Sequence, residues 1–94
     1  MVQEGDLLAV FNSSHRVMKA EDTLRALRLT VLLIPAPRQL QTDCGLALRF
    51  RGDIRGQIME ILERGRLLPA FVSEYREGVF ITIWADETRN THII

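Results

Sequence analysis

The order of apolar segments along the chain constrains the fold more than any other feature of the sequence. Five segments have the length and apolar content of strands, and two carry apolar residues at helical spacing. The predicted strands span residues 7–11, 30–34, 46–50, 70–76 and 79–84, and the predicted helices span residues 15–27 and 54–62. Pro35 and Pro37 end the second strand, because proline has no N–H for the ladder of a central strand. Gly65 is placed to end the second helix, and Glu77-Gly78 predicts a hairpin turn before the last strand.

Strand–helix–strand–strand–helix–strand is the order of a ferredoxin-like sandwich, and here one more strand follows. Right-handed crossovers place both helices on one face of a single antiparallel sheet, so the predicted class is α+β. We expect one domain over residues 1–94, with a core at about 7–76 and a C-terminal hairpin strand and tail over 77–94. The opposite face of the sheet is expected to carry Leu7 and Phe11 and to be available to a partner.

The charge balance and the third strand argue against nucleic acid as a partner. The sequence has twelve basic and twelve acidic residues, so its formal net charge is zero. Affinity for phosphate backbones requires an excess of Lys and Arg. An RNA-recognition motif also stacks bases on aromatic residues of its third strand, and this strand carries only Phe50, at its end. The longest apolar stretch, residues 31–36, is far too short to span a bilayer, so no membrane partner is expected.

No metal site is expected either. His15, Cys44 and His92 are scattered without the spacing of metal ligands, and a lone cysteine forms no internal disulfide. The N-terminal residues lack the basic start and apolar run of a signal peptide. A cytoplasmic location, where a free thiol stays reduced, is the expectation that follows.

Cys44 is the main candidate for a reactive residue in this sequence. It ends a polar loop that begins at Pro35, and Gly45 follows it directly, so its backbone is expected to be exposed and adaptable. Arg38 in the same loop would favour a thiolate at Cys44, whereas Asp43 would oppose one. The sequence does not show which of the two side chains lies closer to the sulfur. The alternative interpretation is a structural thiol, because free cysteines are commonly small buried hydrophobes.

Three stretches of this sequence resemble the selenium/sulfur carrier-like family of small bacterial and archaeal domains. They are residues 34–38 (IPAPR), residues 42–50 (TDCGLALRF) and residues 11–15 (FNSSH), the last followed by Ala20-Glu21 and Leu24. The resemblance covers about residues 7–76, and Asp43-Cys44-Gly45 is its most specific part. The segment from Val79 onward exceeds the expected family core.

The resemblance implies that Cys44 carries a sulfur or selenium atom as a persulfide or perselenide. The donor would be a cysteine or selenocysteine desulfurase, and the acceptor an unidentified protein. No cofactor is implied beyond the transient covalent atom, and the chain would act as a carrier rather than as a stand-alone enzyme. The chemistry agrees with this, because a carrier works best without a second cysteine that would discharge the persulfide as a disulfide.

The topology predicts which residues surround Cys44. The first helix begins at the end of the sheet where the second strand finishes, so Cys44 and Gly45 should lie close to Asn12-Ser13-Ser14-His15. A helix N-terminus presents unpaired N–H groups and partial positive charge, which favours a thiolate. Ser14, His15 and Arg38 are therefore the predicted supporting residues, and His15 could donate a proton to the departing thiol.

A second function class stays open at this point. The same sandwich is also used by non-catalytic interaction modules and ligand-sensing modules. Labelling of the native thiol would discriminate, because a carrier needs an accessible Cys44. Independently, the apolar edge strand at residues 79–84 predicts self-association into a homo-oligomer through the terminal hairpin.

Overall fold

Five strands and two α-helices make up the part of the chain that a computed structural model describes, residues 2–40 and 42–86. In chain order they are β1 (Asp6–Val10), α1 (Ser14–Ala26), β2 (Leu32–Pro35), β3 (Leu46–Arg51), α2 (Arg55–Arg64), β4 (Phe71–Arg76) and β5 (Val79–Ala85). One turn of 3-10 helix, Gly52–Ile54, joins β3 to α2. Residues 87–94 of the predicted tail lie outside the described residues.

The strands form one antiparallel sheet in the order β2-β3-β1-β4-β5. β1 lies at its centre, between β3 and β4, and Leu7 is opposite Phe50 on one side and Glu74 on the other. β5 extends the sheet beyond β4 through a turn in which Glu77 and Gly78 have φ of 51° and 83°. Two successive positive φ values are typical of the type I′ turn of a tight hairpin. The predicted ferredoxin-like α+β fold with an extra C-terminal strand is confirmed.

Both helices end in a left-handed residue that is an arginine rather than a glycine. In α2, Arg66 has φ 57°, and the Leu67 N–H donates to the Leu62 carbonyl at 2.8 Å, which is the Schellman arrangement. Gly65, predicted to end this helix, does follow its last residue, but it is the C-cap with φ −85°. The left-handed position therefore falls one residue later. α1 ends in the same way, with Arg28 at φ 64°.

The two helices cover one face of the sheet and enclose the larger core. Its buried residues include Ala9 and Val72 from the sheet, Leu24 from α1 and Ile58 from α2. A smaller buried cluster lies on the opposite face of the sheet and consists of Leu8, Val10, Ile34 and Ala47. Neither helix of the described residues is long and apolar enough to cross a membrane.

The prediction that Leu7 and Phe11 lie on the face away from the helices is wrong. Both residues are buried in the helix-side core, and Leu8 and Val10 occupy the other face. All five residues of β1 are buried, so its side chains are apolar or enclosed on both faces and show no alternation. Because successive side chains of a strand point to opposite faces, an error of one residue exchanges the two sets.

Candidate functional site

Cys44 lies in the loop between β2 and β3 and reaches the chain segment that joins β1 to α1. Its Sγ is 3.4 Å from the carbonyl oxygen of Phe11 and 3.4 Å from that of Leu46. Phe11 is two residues before Ser13, the N-cap of α1. The side chain of Cys44 is partly buried and packs against the helix-side core. Although Cys44 belongs to a loop, its thiol is therefore held against the end of the central strand β1 and is not fully exposed.

Both hydrogen-bond partners of the sulfur are acceptors. A carbonyl oxygen accepts a proton and cannot donate one, so Sγ in this arrangement is a thiol that donates to one or the other carbonyl. The N–H groups at the start of α1, expected from the sequence to favour a thiolate, are not among its hydrogen-bond partners in the described residues. Nucleophilic chemistry at Cys44 consequently requires the sulfur to leave these two carbonyls.

Two hydrogen bonds close the loop behind Cys44. The Gly45 N–H donates to Thr42 Oγ1 at 2.6 Å, and the Ala36 N–H donates to the Gly45 carbonyl at 2.9 Å. Gly45 has φ 72°, a left-handed conformation that glycine adopts at little cost. Gly45 thus turns the chain into β3, and Thr42 holds the turn that points Cys44 inward.

Thr42 is a residue whose role the sequence reasoning missed. In the sequence it belongs to the stretch at residues 42–50, and no role of its own is predicted for it. The available signal was local, because a threonine hydroxyl accepts a backbone N–H a few residues later in many turns. That signal is common in loops, and only the geometry shows that the accepting N–H belongs to Gly45.

The predicted supporting residues belong to the two segments that meet at Cys44, the start of α1 and the β2–β3 loop. Ser14 and His15 form the first turn of α1 and are exposed, while Ser13 caps the helix by accepting the Arg16 N–H at 3.1 Å. Arg38 and Asp43 are exposed residues of the Cys44 loop. Within residues 2–40 and 42–86, no hydrogen bond or ion pair joins Cys44 to the side chains of Ser14, His15, Arg38 or Asp43. Their supporting roles stay predictions.

An open recess of about 280 Å³ adjoins the Cys44 loop. Asn12 and Phe11 from the β1–α1 connection form one side, and Thr42 and Asp43 from the loop form another. A molecule in this recess would lie beside the backbone that holds Cys44 in place. No group of three or more His, Cys, Asp or Glu side chains in the described ranges could hold a metal ion.

Comparison with known proteins adds one match. The model of the family described as "Putative Se/S carrier protein-like" matches residues 6–74. No curated protein and no solved structure shows a significant match. The matched residues begin in β1, end in β4 and include the whole Cys44 loop. The resemblance seen in the sequence is thereby confirmed, and the chain belongs to the Se/S carrier protein-like family.

Proposed function

We propose that the protein carries a single sulfur or selenium atom on Cys44 and delivers it to an acceptor protein. The observation that carries this proposal is the family match, since it spans the loop that holds the chain's one cysteine. The atom comes from a cysteine or selenocysteine desulfurase that holds it as a persulfide or perselenide. A cytoplasmic location belongs to the same proposal, because the free thiol must stay reduced.

The transfer is an exchange between two sulfur–sulfur bonds. The Cys44 sulfur attacks the terminal sulfur of the donor persulfide, R–S–SH, and the donor's internal S–S bond breaks. Cys44 becomes Cys44–S–SH, and the donor leaves as R–SH after taking up the proton that Cys44 has lost. Selenium follows the same course, with R–S–SeH giving Cys44–S–SeH. No net oxidation or reduction occurs. The acceptor thiol then attacks the terminal atom of Cys44–S–SH by the same exchange, the S–S bond at Cys44 breaks, and Cys44 leaves as the thiol.

The composition of the chain fits a carrier. A second cysteine would attack the persulfide and expel its terminal atom while forming a disulfide, and this chain has no second cysteine. Arg38 and His15, both exposed, could stabilise the departing thiolate or return its proton once a donor protein covers the loop. The Cys44 loop would have to open first, because Sγ donates its one proton to the carbonyl of either Phe11 or Leu46.

One observation favours the second candidate function, a non-catalytic interaction or ligand-sensing module. Cys44 is partly buried and both of its hydrogen-bond partners lie within the fold, which is also how a structural thiol is held. A structural thiol would react slowly with small electrophiles and would not accept sulfur from any donor.

Intact-mass spectrometry after incubation with a desulfurase and its amino-acid substrate tests the proposal. We expect a mass gain of one sulfur or selenium atom that is located on Cys44 and is reversed by dithiothreitol. Cys44→Ser, which keeps the size and the hydrogen-bonding capacity of the side chain, is the matched control and should gain nothing. No gain on the wild-type chain with active donors of both kinds would refute the carrier function, and so would a gain retained in Cys44→Ser.

A further inference from the structure

Three recesses on the surface share lining residues and lie in a row that begins at the Cys44 loop. The first is the recess beside Thr42 and Asp43, and it shares Asn12 and Ala70 with a second of about 200 Å³. The second shares Leu68 with a third of about 340 Å³. We call this row the acidic groove. Its members, besides the shared residues, include Asp43 in the first recess, Arg16 and Asp86 in the second, and Met59, Glu60, Glu63 and Trp84 in the third.

The end of the acidic groove that is farthest from Cys44 lies where the sheet extends beyond the two helices that cover it. Two helices cover a ferredoxin-like sheet of four strands, and β5 extends beyond them. The groove runs between α2 and β5, where Met59, Leu68 and Trp84 provide partly buried apolar surface. The α2 side is open at Gly56, where a Cβ would meet nothing within 4 Å. A side chain inserted here would find an apolar floor.

The charges along the acidic groove are mainly negative. Glu60 and Glu63 are exposed at the far end, where Glu60 lies 3.6 Å from the Arg64 guanidinium in an exposed pair that a basic ligand can replace, and Asp43 is exposed at the Cys44 end. The cation among the lining residues is Arg16, whose Nη2 already donates to the carbonyls of Arg66 at 3.1 Å and Leu68 at 3.4 Å. Carboxylates on the rim and an apolar floor complement a peptide with basic side chains and an apolar anchor.

We propose that the acidic groove binds a basic segment of the protein that exchanges sulfur with Cys44. An apolar side chain of that segment sits on Met59 and Trp84, its basic residues face Glu60 and Glu63, and its continuation reaches the Cys44 loop through the recess at Asn12. The identity of the partner as donor or acceptor rests on the proposed function. The binding of the basic segment does not, because it can be measured without any sulfur transfer.

Two synthetic peptides of equal length provide the probes, one alternating Arg and Leu and one alternating Glu and Leu. Neither contains tryptophan, so Trp84, the single tryptophan of the chain, reports binding through its emission. The first measurement uses Cys44→Ser and the unmodified peptides. In the second measurement, each peptide ends in a cysteine bonded to thionitrobenzoate, and the Cys44 sulfur of the wild-type chain displaces that group. The product is a Cys44–peptide disulfide, and the released thionitrobenzoate absorbs visible light.

The decisive variant is Glu60→Lys combined with Glu63→Lys. Its matched control is Asp22→Lys combined with Glu77→Lys, which changes the net charge equally on α1 and in the β4–β5 turn. We expect the basic peptide to shift Trp84 emission and to capture Cys44 about tenfold faster than the acidic peptide, as is common for charge-complementary docking. The decisive variant should abolish both effects, and the control should retain them.

The inference is overturned if the two peptides behave alike on the wild-type chain. Equal losses in the decisive variant and the control would also overturn it, since the effect would then follow net charge rather than the groove. Its failure is distinguishable from that of the proposed function. Basic-peptide binding without any persulfide on Cys44 would retain the groove and refute the carrier. A persulfide on Cys44 without discrimination between the two peptides would support the carrier function and refute the groove.

Discussion

Removing the Thr42 hydroxyl should release Cys44 without disturbing the rest of the fold. Thr42→Val keeps the size and branching of the side chain but leaves the Gly45 N–H without its acceptor at 2.6 Å. A neutral hydrogen bond of this kind contributes about 1 kcal/mol net. If the loop must open before Sγ leaves the Phe11 and Leu46 carbonyls, the open population should rise about fivefold.

The assay is the rate at which native Cys44 reacts with iodoacetamide, followed by intact mass. Reaction from a sparsely populated open loop proceeds at the opening equilibrium constant times the intrinsic rate, so the rate should also rise about fivefold. Thr42→Ser, which retains the hydroxyl oxygen, is the matched control and should label at close to the wild-type rate. Thermal melting of each variant shows whether the increase reflects the loop or the whole fold.

Two results would refute this reasoning. A wild-type labelling rate in Thr42→Val would mean that the Thr42–Gly45 hydrogen bond does not limit access to the sulfur. Equal acceleration in Thr42→Val and Thr42→Ser would mean that loss of the hydroxyl group is not the cause, because Thr42→Ser retains it.

Two further predictions concern the supports of the same region. Gly45→Ala places a Cβ on a residue with φ 72° and should lower the free energy of unfolding by about 1–2 kcal/mol in urea titration, even though the Cβ meets nothing within 4 Å. An unchanged unfolding midpoint would show that the loop relaxes without strain. Arg16→Met removes the guanidinium bonds to the Arg66 and Leu68 carbonyls and should cost about 1 kcal/mol, because one of these bonds is exposed. Differential scanning calorimetry measures that loss, and wild-type stability in Arg16→Lys would indicate that the planar guanidinium is not required.

The order of elements and the sheet topology could be predicted because their signals are local. Prolines end β2, the Glu77-Gly78 pair makes the hairpin, and alternation marks β3. The crossover rules then leave few arrangements for strands and helices in this order. The faces of β1 could not be predicted, because a strand buried on both sides has no period that distinguishes them.

The site was predictable only to the level of its loop. The sequence indicated Cys44 and placed it toward the start of α1 by topology. Its hydrogen bond to the Phe11 carbonyl joins residues 33 positions apart and has no sequence signature. The helix ends show the same limit, since Arg28 and Arg66 adopt the left-handed conformation that the sequence pattern assigns to glycine.

The central position of β1 means that this strand is paired on both of its edges only after β4 has been made. Asp6 is opposite Arg51, and Leu7 is opposite Glu74, so the second partner strand follows only after most of the chain has been made. At ordinary rates of synthesis this delay is on the order of several seconds. During that time the β4 edge of β1 has no partner, although Leu8 and Val10 of this strand are buried in the finished fold. These pairings between distant parts of the sequence slow folding relative to a helical protein of equal length, and they leave an apolar strand with an unpaired edge until the chain reaches β4.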